Sequence, residues 1–309
     1  MPLRSKDLLS IEDLTLENID LILETASSFE EVFEREIKKV PTLRGRTIIN
    51  LFLEPSTRTR TSFEIAGKRL SADVVNVSGQ GSAVAKGESL KDTAQTIEAM
   101  SVDAVVIRHW SSGSAKYLAE LIKPPVINAG DGWHEHPTQA LLDLYTIKKE
   151  IGKLTGKRVA IVGDIAHSRV ARSLIAALNK TKAKVTLVGP ATLIPMDIDK
   201  LGVDISYSLD DVLEDVDIVY LLRLQKERQS ENLLPSLREY SRLFGLSKAR
   251  WQRLKNGVRI MHPGPMNRGI EIDSFVADNE KALIREQVTS GVAVRMAILY
   301  LLMGGAQVE

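Results

Sequence analysis

Apolar positions along the chain switch repeatedly between two spacings. Short runs rich in β-branched residues predict strands over 47–53, 73–77, 103–107 and 126–128. Between them, apolar residues at helical spacing predict helices over roughly 58–70, 88–100 and 114–122. In "HPTQALLDLYTIKKEIG", Leu141, Leu144, Ile147 and Ile151 share one helical face; Pro137 suits the first turn and Gly152 the stop. The alternation then restarts. "KRVAIVGD" reads as a strand, "SRVARSLIAALNK" as a helix and "KVTLVGP" as a strand, with further strands in "DVDIVYLL" (215–222) and "GVRIMHPG" (257–264).

This alternation predicts an α/β protein of two doubly wound, Rossmann-like parallel sheets with helices on both faces. The boundary is expected near 132–136, with the following helix as a bridge. A last helix over 288–304 has no strand after it and is expected to pack back on the first unit. The domains are then 1–135 plus 288–309, and 136–287. The run "SGVAVRMAILYLLMGG" is shorter than the ~20 residues of a membrane span and contains Arg295, so a buried helix is the reading. Two polar stretches, 78–89 and 223–245, are either binding loops or plain surface excursions.

Composition narrows the function classes. The 309 residues, 44% hydrophobic and 26% charged, suit a soluble globular chain with two cores. A net charge of +1 provides no global field for nucleic acid or membrane, so anion affinity must be local. The chain has no Cys, which excludes thiolate nucleophiles and Cys-ligated zinc and fits a reducing cytoplasm. The N-terminal "MPLRSKDLLSIEDL" lacks an apolar signal-peptide core, so a cytoplasmic location is expected.

Ligands of open α/β sheets bind beyond the carboxyl ends of the strands. There the sequence places Ser56 to Arg60, Arg108-His109, His134-Glu135-His136, His167-Ser168-Arg169, Arg223-Leu224-Gln225 and His262-Pro263-Gly264-Pro265. Arg58 and Arg60 fall in the first turn of a helix, where bare N–H groups disfavour cations. Either this is an exposed polar helix start, or a phosphate is cradled there by N–H groups, hydroxyls and the Arg58 guanidinium. Arg60, further along the helix, suits a structural ion pair. The P-loop signature is missing, and "IVGDIAHSRV" lacks the dinucleotide fingerprint. His134 and His136, without a nearby third ligand, give a weak metal signal, and no cofactor is expected.

Taken together, these segments resemble the aspartate/ornithine carbamoyltransferase family over essentially the whole chain. "FLEPSTRTRTSFE" looks like the family's carbamoyl-phosphate signature. "VVIRH", "HPTQALLDL" and "HPGP" follow in the family's order, and "RLQKER" looks like the motif of its aspartate-specific members. Ornithine-type members carry a Ser-Met-Gly segment and a Cys in "HCLP"; this chain has neither. The resemblance implies transfer of the carbamoyl group of carbamoyl phosphate to the α-amine of L-aspartate, in pyrimidine biosynthesis, with no covalent intermediate. The site would lie in a cleft between a carbamoyl-phosphate domain and an aspartate domain.

Position by position, the resemblance implies that Ser56, Thr57, Arg58 and Thr59 hold the phosphate. Arg108 would bridge phosphate and carbonyl, with His136 and Thr59 on the carbonyl oxygen. Gln139 and the backbone carbonyls of Pro263 and Gly264 would take the carbamoyl NH2. Arg169, Arg223 and Gln225 would grip the aspartate carboxylates. Ser82 and Lys86 would reach a neighbouring subunit's site, which implies a homotrimer, and Lys86 would also favour the neutral amine. The resemblance leaves open an associated regulatory chain or dihydroorotase. An ornithine-type acceptor and a non-catalytic anion-binding scaffold are the alternatives. One departure is Gly264, where many members have Leu.

Overall fold

A computed structural model describes residue 3 and residues 5–79, 87–225 and 233–304. Ser82 and Lys86 lie outside the described residues. The chain packs as two units, Met1–Tyr145 with Thr289–Glu309, and Thr146–Val288.

The first unit holds a four-stranded sheet of β1 (Thr47–Phe52), β2 (Asp73–Ser78), β3 (Ala104–His109) and β4 (Val126–Asp131), in the order β2-β1-β3-β4. All three pairings are parallel. Helices α2 (Thr57–Arg69), α3 (Leu90–Ala99) and α4 (Ser114–Leu121) cross between the strands, and α5 (Pro137–Ile151) follows β4. Ile49, Leu51, Val105 and Ile107 bury one side of the sheet against Ala94, Ile97 and Leu118 of the helices. On α2, Gly67 lets the helix approach the sheet: a Cβ there would lie 2.6 Å from the Val74 side chain.

In the first unit, two elements depart from the sequence pattern. Helix α1 (Leu16–Glu30) precedes every element predicted above. It buries Ile19, Ile22, Leu23, Ala26 and Phe29, and Thr15 and Asn18 close a reciprocal cap at its start. Strand β4 runs three residues beyond the apolar "VIN" and is buried throughout. Its polar side chains satisfy one another, with Asn128 donating to Asp131 Oδ1 at 2.8 Å and to the Leu9 carbonyl at 2.9 Å.

The second unit holds a five-stranded parallel sheet, β5 (Arg158–Val162), β6 (Lys184–Val188), β7 (Asp204–Ser206), β8 (Ile218–Leu221) and β9 (Arg259–Met261), ordered β7-β6-β5-β8-β9. Helix α6 (Arg169–Lys180) joins β5 to β6, and α7 (Leu237–Phe244) and α8 (Lys248–Arg253) lie between β8 and β9. The short α9 (Ser274–Ala277) follows, and α10 (Ile284–Met303) runs back into the first unit, where Ala293, Val294, Ala297 and Ile298 are buried. Among the described residues no helix is long and apolar enough to cross a membrane.

In each sheet the chain winds outward from one interior pair of strands. In the first, β2 lies on one side and β4 on the other of the β1/β3 pair; in the second, β5/β8 is flanked by β6 and β9. The loops leaving the two members of such a pair diverge, which opens a crevice at their carboxyl ends.

Candidate active site

At the β1/β3 divergence Phe52 pairs with Arg108. The Arg108 carbonyl accepts from Leu53 N at 2.9 Å and Glu54 N at 3.3 Å, so the loop entering α2 is bent over the end of β3. The Arg108 guanidinium donates to Glu54 Oε1 at 3.1 Å and to the Ala129 carbonyl at 3.3 Å. Arg108 belongs to the strand rather than following it.

Helix α2 starts without a side-chain cap. Ser56 occupies the N-cap position, but its hydroxyl accepts no capping hydrogen bond. At α1, α3, α6, α7 and α8 the equivalent Thr15, Ser89, Ser168, Ser236 and Ser247 each accept from a backbone N–H. The Ser56 hydroxyl therefore leaves the first turn of α2 without a side-chain cap, and that turn contains no acid. Thr57 and Arg58 are exposed there and Thr59 is buried. Such an end is electropositive twice over, by its dipole and by its guanidinium, and suits a multiply charged anion. Arg60 acts elsewhere: its charge adds to hydrogen bonds from Lys68 and Asn76 that hold the Glu64 carboxyl below its ordinary value.

The "HEH" stretch separates into three roles. His134 Nδ1 lies 3.2 Å from Asp131 Oδ2. Glu135 is buried, where its carboxylate accepts from the Ser10 hydroxyl and from Ile11 N. His136 is buried at the start of α5, its carbonyl accepting from Gln139 N. Thr138 Oγ1 lies 3.4 Å from His136 Nδ1, a pair in which either group can donate. Gln139 is also buried and donates through Nε2 to Asp143 at 3.1 Å. Among the described residues no group of three or more His, Asp or Glu side chains is placed to hold a metal ion.

In the second unit, the β5/β8 divergence is bridged by Asp164. Its carboxylate lies 2.7 Å from His167 Nδ1 and accepts from Gln225 N at 3.4 Å, tying the loop after β5 to the loop after β8. Ser168 caps α6, and Arg169 is its first residue, 3% exposed. Arg223 is half-buried beyond β8. The sheet end is tightly filled, since a Cβ on Gly163 would meet the Tyr240 hydroxyl at 2.9 Å.

Beyond β9, the buried His262 organises the turn carrying Pro263 and Gly264. Its Nδ1 accepts from Gly264 N at 2.8 Å, and Nε2 lies 3.3 Å from Glu271 Oε1. The Gly264–Pro265 bond is cis. Gly264 has φ +62°, a conformation glycine adopts freely and a Leu would enter only at a cost of roughly 1 kcal/mol.

Several of these clusters include an acid that sequence reasoning left out: Glu54, Asp131, Asp143, Asp164 and Glu271. Glu54, Asp131 and Asp164 stand at or just past strand ends, whereas Asp143 lies inside α5 and Glu271 well beyond β9. Ser82 and Lys86 lie outside the described residues.

Comparison with known proteins agrees along the whole chain. The family model for the carbamoyl-P binding domain of aspartate/ornithine carbamoyltransferases matches residues 6–149, and that for the Asp/Orn binding domain matches 155–302. The aspartate carbamoyltransferase catalytic subunit of Halothermothrix orenii is 57% identical over 98% of this chain and 97% of its own. The crystal structure of Trypanosoma cruzi aspartate transcarbamoylase with N-(phosphonacetyl)-L-aspartic acid superposes with a TM-score of 0.88 at 34% identity, covering 96% of each chain. Pyrococcus furiosus ornithine carbamoyltransferase superposes at 0.86 with 29% identity, covering 99% of this chain and all of its own. With both domain models in sequence along it and a relative more than half identical over nearly its full length, the chain belongs to the aspartate/ornithine carbamoyltransferase family.

Proposed function

We propose that this chain transfers the carbamoyl group of carbamoyl phosphate to the α-amine of L-aspartate, giving N-carbamoyl-L-aspartate and phosphate. The observation that carries the reading is the uncapped, arginine-bearing start of α2 lying against the Arg108 strand end. The phosphate binds there through Ser56, Thr57, Arg58 and Thr59. Arg108, the Thr59 hydroxyl and the His136 ring meet the carbonyl oxygen, on which charge develops as the amine attacks. Gln139, with the carbonyls of Pro263 and Gly264, receives the carbamoyl NH2. Arg169, Arg223 and Gln225 hold the aspartate carboxylates; two planar guanidiniums favour a dicarboxylate and repel the ammonium of ornithine.

Carbamoyl phosphate is already activated, so no covalent nucleophile is required. Holding both reactants in line supplies roughly 7–11 kcal/mol of the barrier. Phosphate leaves carrying its electron pair, and the amine's proton passes to it or to a nearby base. Ser82 and Lys86 complete a neighbouring subunit's site, and the assembly is a cytoplasmic homotrimer acting in pyrimidine biosynthesis. The catalytic-subunit name of the relatives supports a further partner such as a regulatory chain, with a dihydroorotase as the alternative. The test supplies the purified chain with carbamoyl phosphate and a panel of amines. Carbamoyl-aspartate alone is expected; carbamoyl-ornithine without carbamoyl-aspartate would overturn the assignment.

A further inference from the structure

Three helices of the first unit bury an ionic group that the binding reading leaves unused. Arg295 on α10 is 4% exposed and donates through Nη1 to Ser62 Oγ of α2 at 2.8 Å. Its guanidinium lies over the Phe63 ring, 5.1 Å from the centroid. Gly291, one turn earlier, makes the room: a Cβ there would stand 2.6 Å from Arg295 Nη1 and 3.2 Å from Leu142. Burial pulls the guanidinium down to about 10, while the charge of Asp143 on α5 holds it up, so it is a cation at neutral pH. Asp143 is fully buried and accepts from Gln139 Nε2.

A cation taken out of water is disfavoured unless opposite charge and hydrogen bonds compensate it. The compensating carboxylate also acts on the amide of Gln139. Gln139 carries one acceptor and one NH2 on the same carbon, and the two ends can exchange by a flip about the last side-chain torsion. An ionised carboxylate only accepts, so Asp143 selects the NH2 end and leaves Oε1 as the remaining acceptor. A carbamoyl NH2 requires that acceptor.

We infer that Asp143 and Arg295 are positioning residues which fix the amide of Gln139 with its oxygen toward the substrate, and so make the site select a carbamoyl over an acyl group. This rests on the assignment of Gln139 to the carbamoyl NH2. The opposite charges of Arg295 and Asp143 attract, and Gly291 leaves the guanidinium its space.

The test compares binding of carbamoyl phosphate, acetyl phosphate (a methyl in place of the NH2) and inorganic phosphate by calorimetry, on the full chain. Wild type is expected to favour carbamoyl over acetyl phosphate by about fivefold to tenfold, the size of one hydrogen bond. Asp143→Asn allows the amide to flip and should lower that ratio at least about twofold, the loss when half the amides present their oxygen, with inorganic phosphate affinity unchanged. Adding Gln139→Glu to Asp143→Asn restores the arrangement, because the Asn NH2 now donates and a Glu oxygen faces outward; most of the ratio should return. A folded Asp143→Asn protein that keeps the wild-type ratio, or a folded double variant whose ratio stays as low as that of Asp143→Asn, overturns the inference. Should Asp143→Asn fail to fold, Gly291→Ala decides. It retains every hydrogen-bonding group but displaces the guanidinium, and an unchanged ratio would remove Arg295 from the device. A wild type with no preference would instead refute the assignment of Gln139, and one that binds no phosphate would refute the functional reading itself.

Discussion

Glu54 Oε1 stands 3.1 Å from Arg108 Nη2, so the guanidinium proposed to meet the reacting carbonyl is aimed by a carboxylate from the neighbouring loop. The two side chains are 20% and 12% exposed, and the contact holds arginine and α2 entry loop as one piece. Arg108→Ala should lower kcat by about 100- to 1,000-fold, the usual loss for one donor to a developing oxyanion. Steady-state rates and a far-UV circular dichroism spectrum measured together check this. Wild-type turnover would remove Arg108 from the chemistry.

Ser56 and Ser89 occupy the same position on two helices with opposite consequences. Ser89 Oγ accepts from Asp92 N at 3.2 Å, whereas Ser56 caps nothing. Ser89→Ala should therefore cost about 1 kcal/mol of stability and leave phosphate binding unchanged. Ser56→Ala should leave the urea midpoint within error while weakening phosphate. Equal destabilisation by both would mean that Ser56 is an ordinary cap.

Asp210 clamps α8. Its carboxylate accepts from Arg250 Nη2 at 2.6 Å and Nε at 3.2 Å, and from Arg253. The Arg250 hydrogen bond is the main cause holding this carboxyl below its ordinary value. A depressed carboxyl contributes stability above the unfolded-state value, about 3.9, and loses it as pH falls through the folded-state value. With Asp210 41% exposed, solvent screening limits Asp210→Asn to about 0.5–1 kcal/mol at pH 7. Denaturant unfolding of both proteins should show that gap constant from about pH 5 to 7 and closing below about pH 4. A gap that widens in acid would contradict the assignment.

If Lys86 serves a neighbour's site, complementation follows. Lys86→Ala and Arg58→Ala chains, each nearly inactive alone, should regain activity when dissociated and reassembled together, because mixed trimers contain some sites with neither substitution. Size-exclusion chromatography and assay of the mixture check this. Hybrids that form without recovering activity would indicate self-contained sites.

The elements that were legible in sequence are those with a strong apolar period, even where, as in α5 and β1, a few polar residues are buried too. β1, β3, β5 and α5 follow their hydrophobic period closely. Helix α1 was equally legible in Ile19, Ile22, Leu23, Ala26 and Phe29, but its cap is Thr-Leu-Glu-Asn, without the usual Glu or Gln at the third position. The end of β4 was hidden because Asn128 and Asp131 are buried as a hydrogen-bonded set, which polarity alone reads as loop. Strand β7 has three residues at a sheet edge, too few to show a period. At the site, the basic residues were readable from their strand-end positions. Their acidic supports were not: Glu54 and Asp164 act through contacts across 54 and 61 residues of chain, which no local pattern encodes.

The first unit is written in two pieces, with α10 supplied by the chain's last described segment. On a ribosome the order of completion is therefore inverted: residues 146–288 emerge whole while the earlier sheet still lacks the helix that brings Arg295 to Ser62. At ordinary translation speeds that wait lasts about 10–30 s. Through it the strands carrying Arg108 and the α2 entry loop exist as an unfinished domain, completed only after the second unit has emerged.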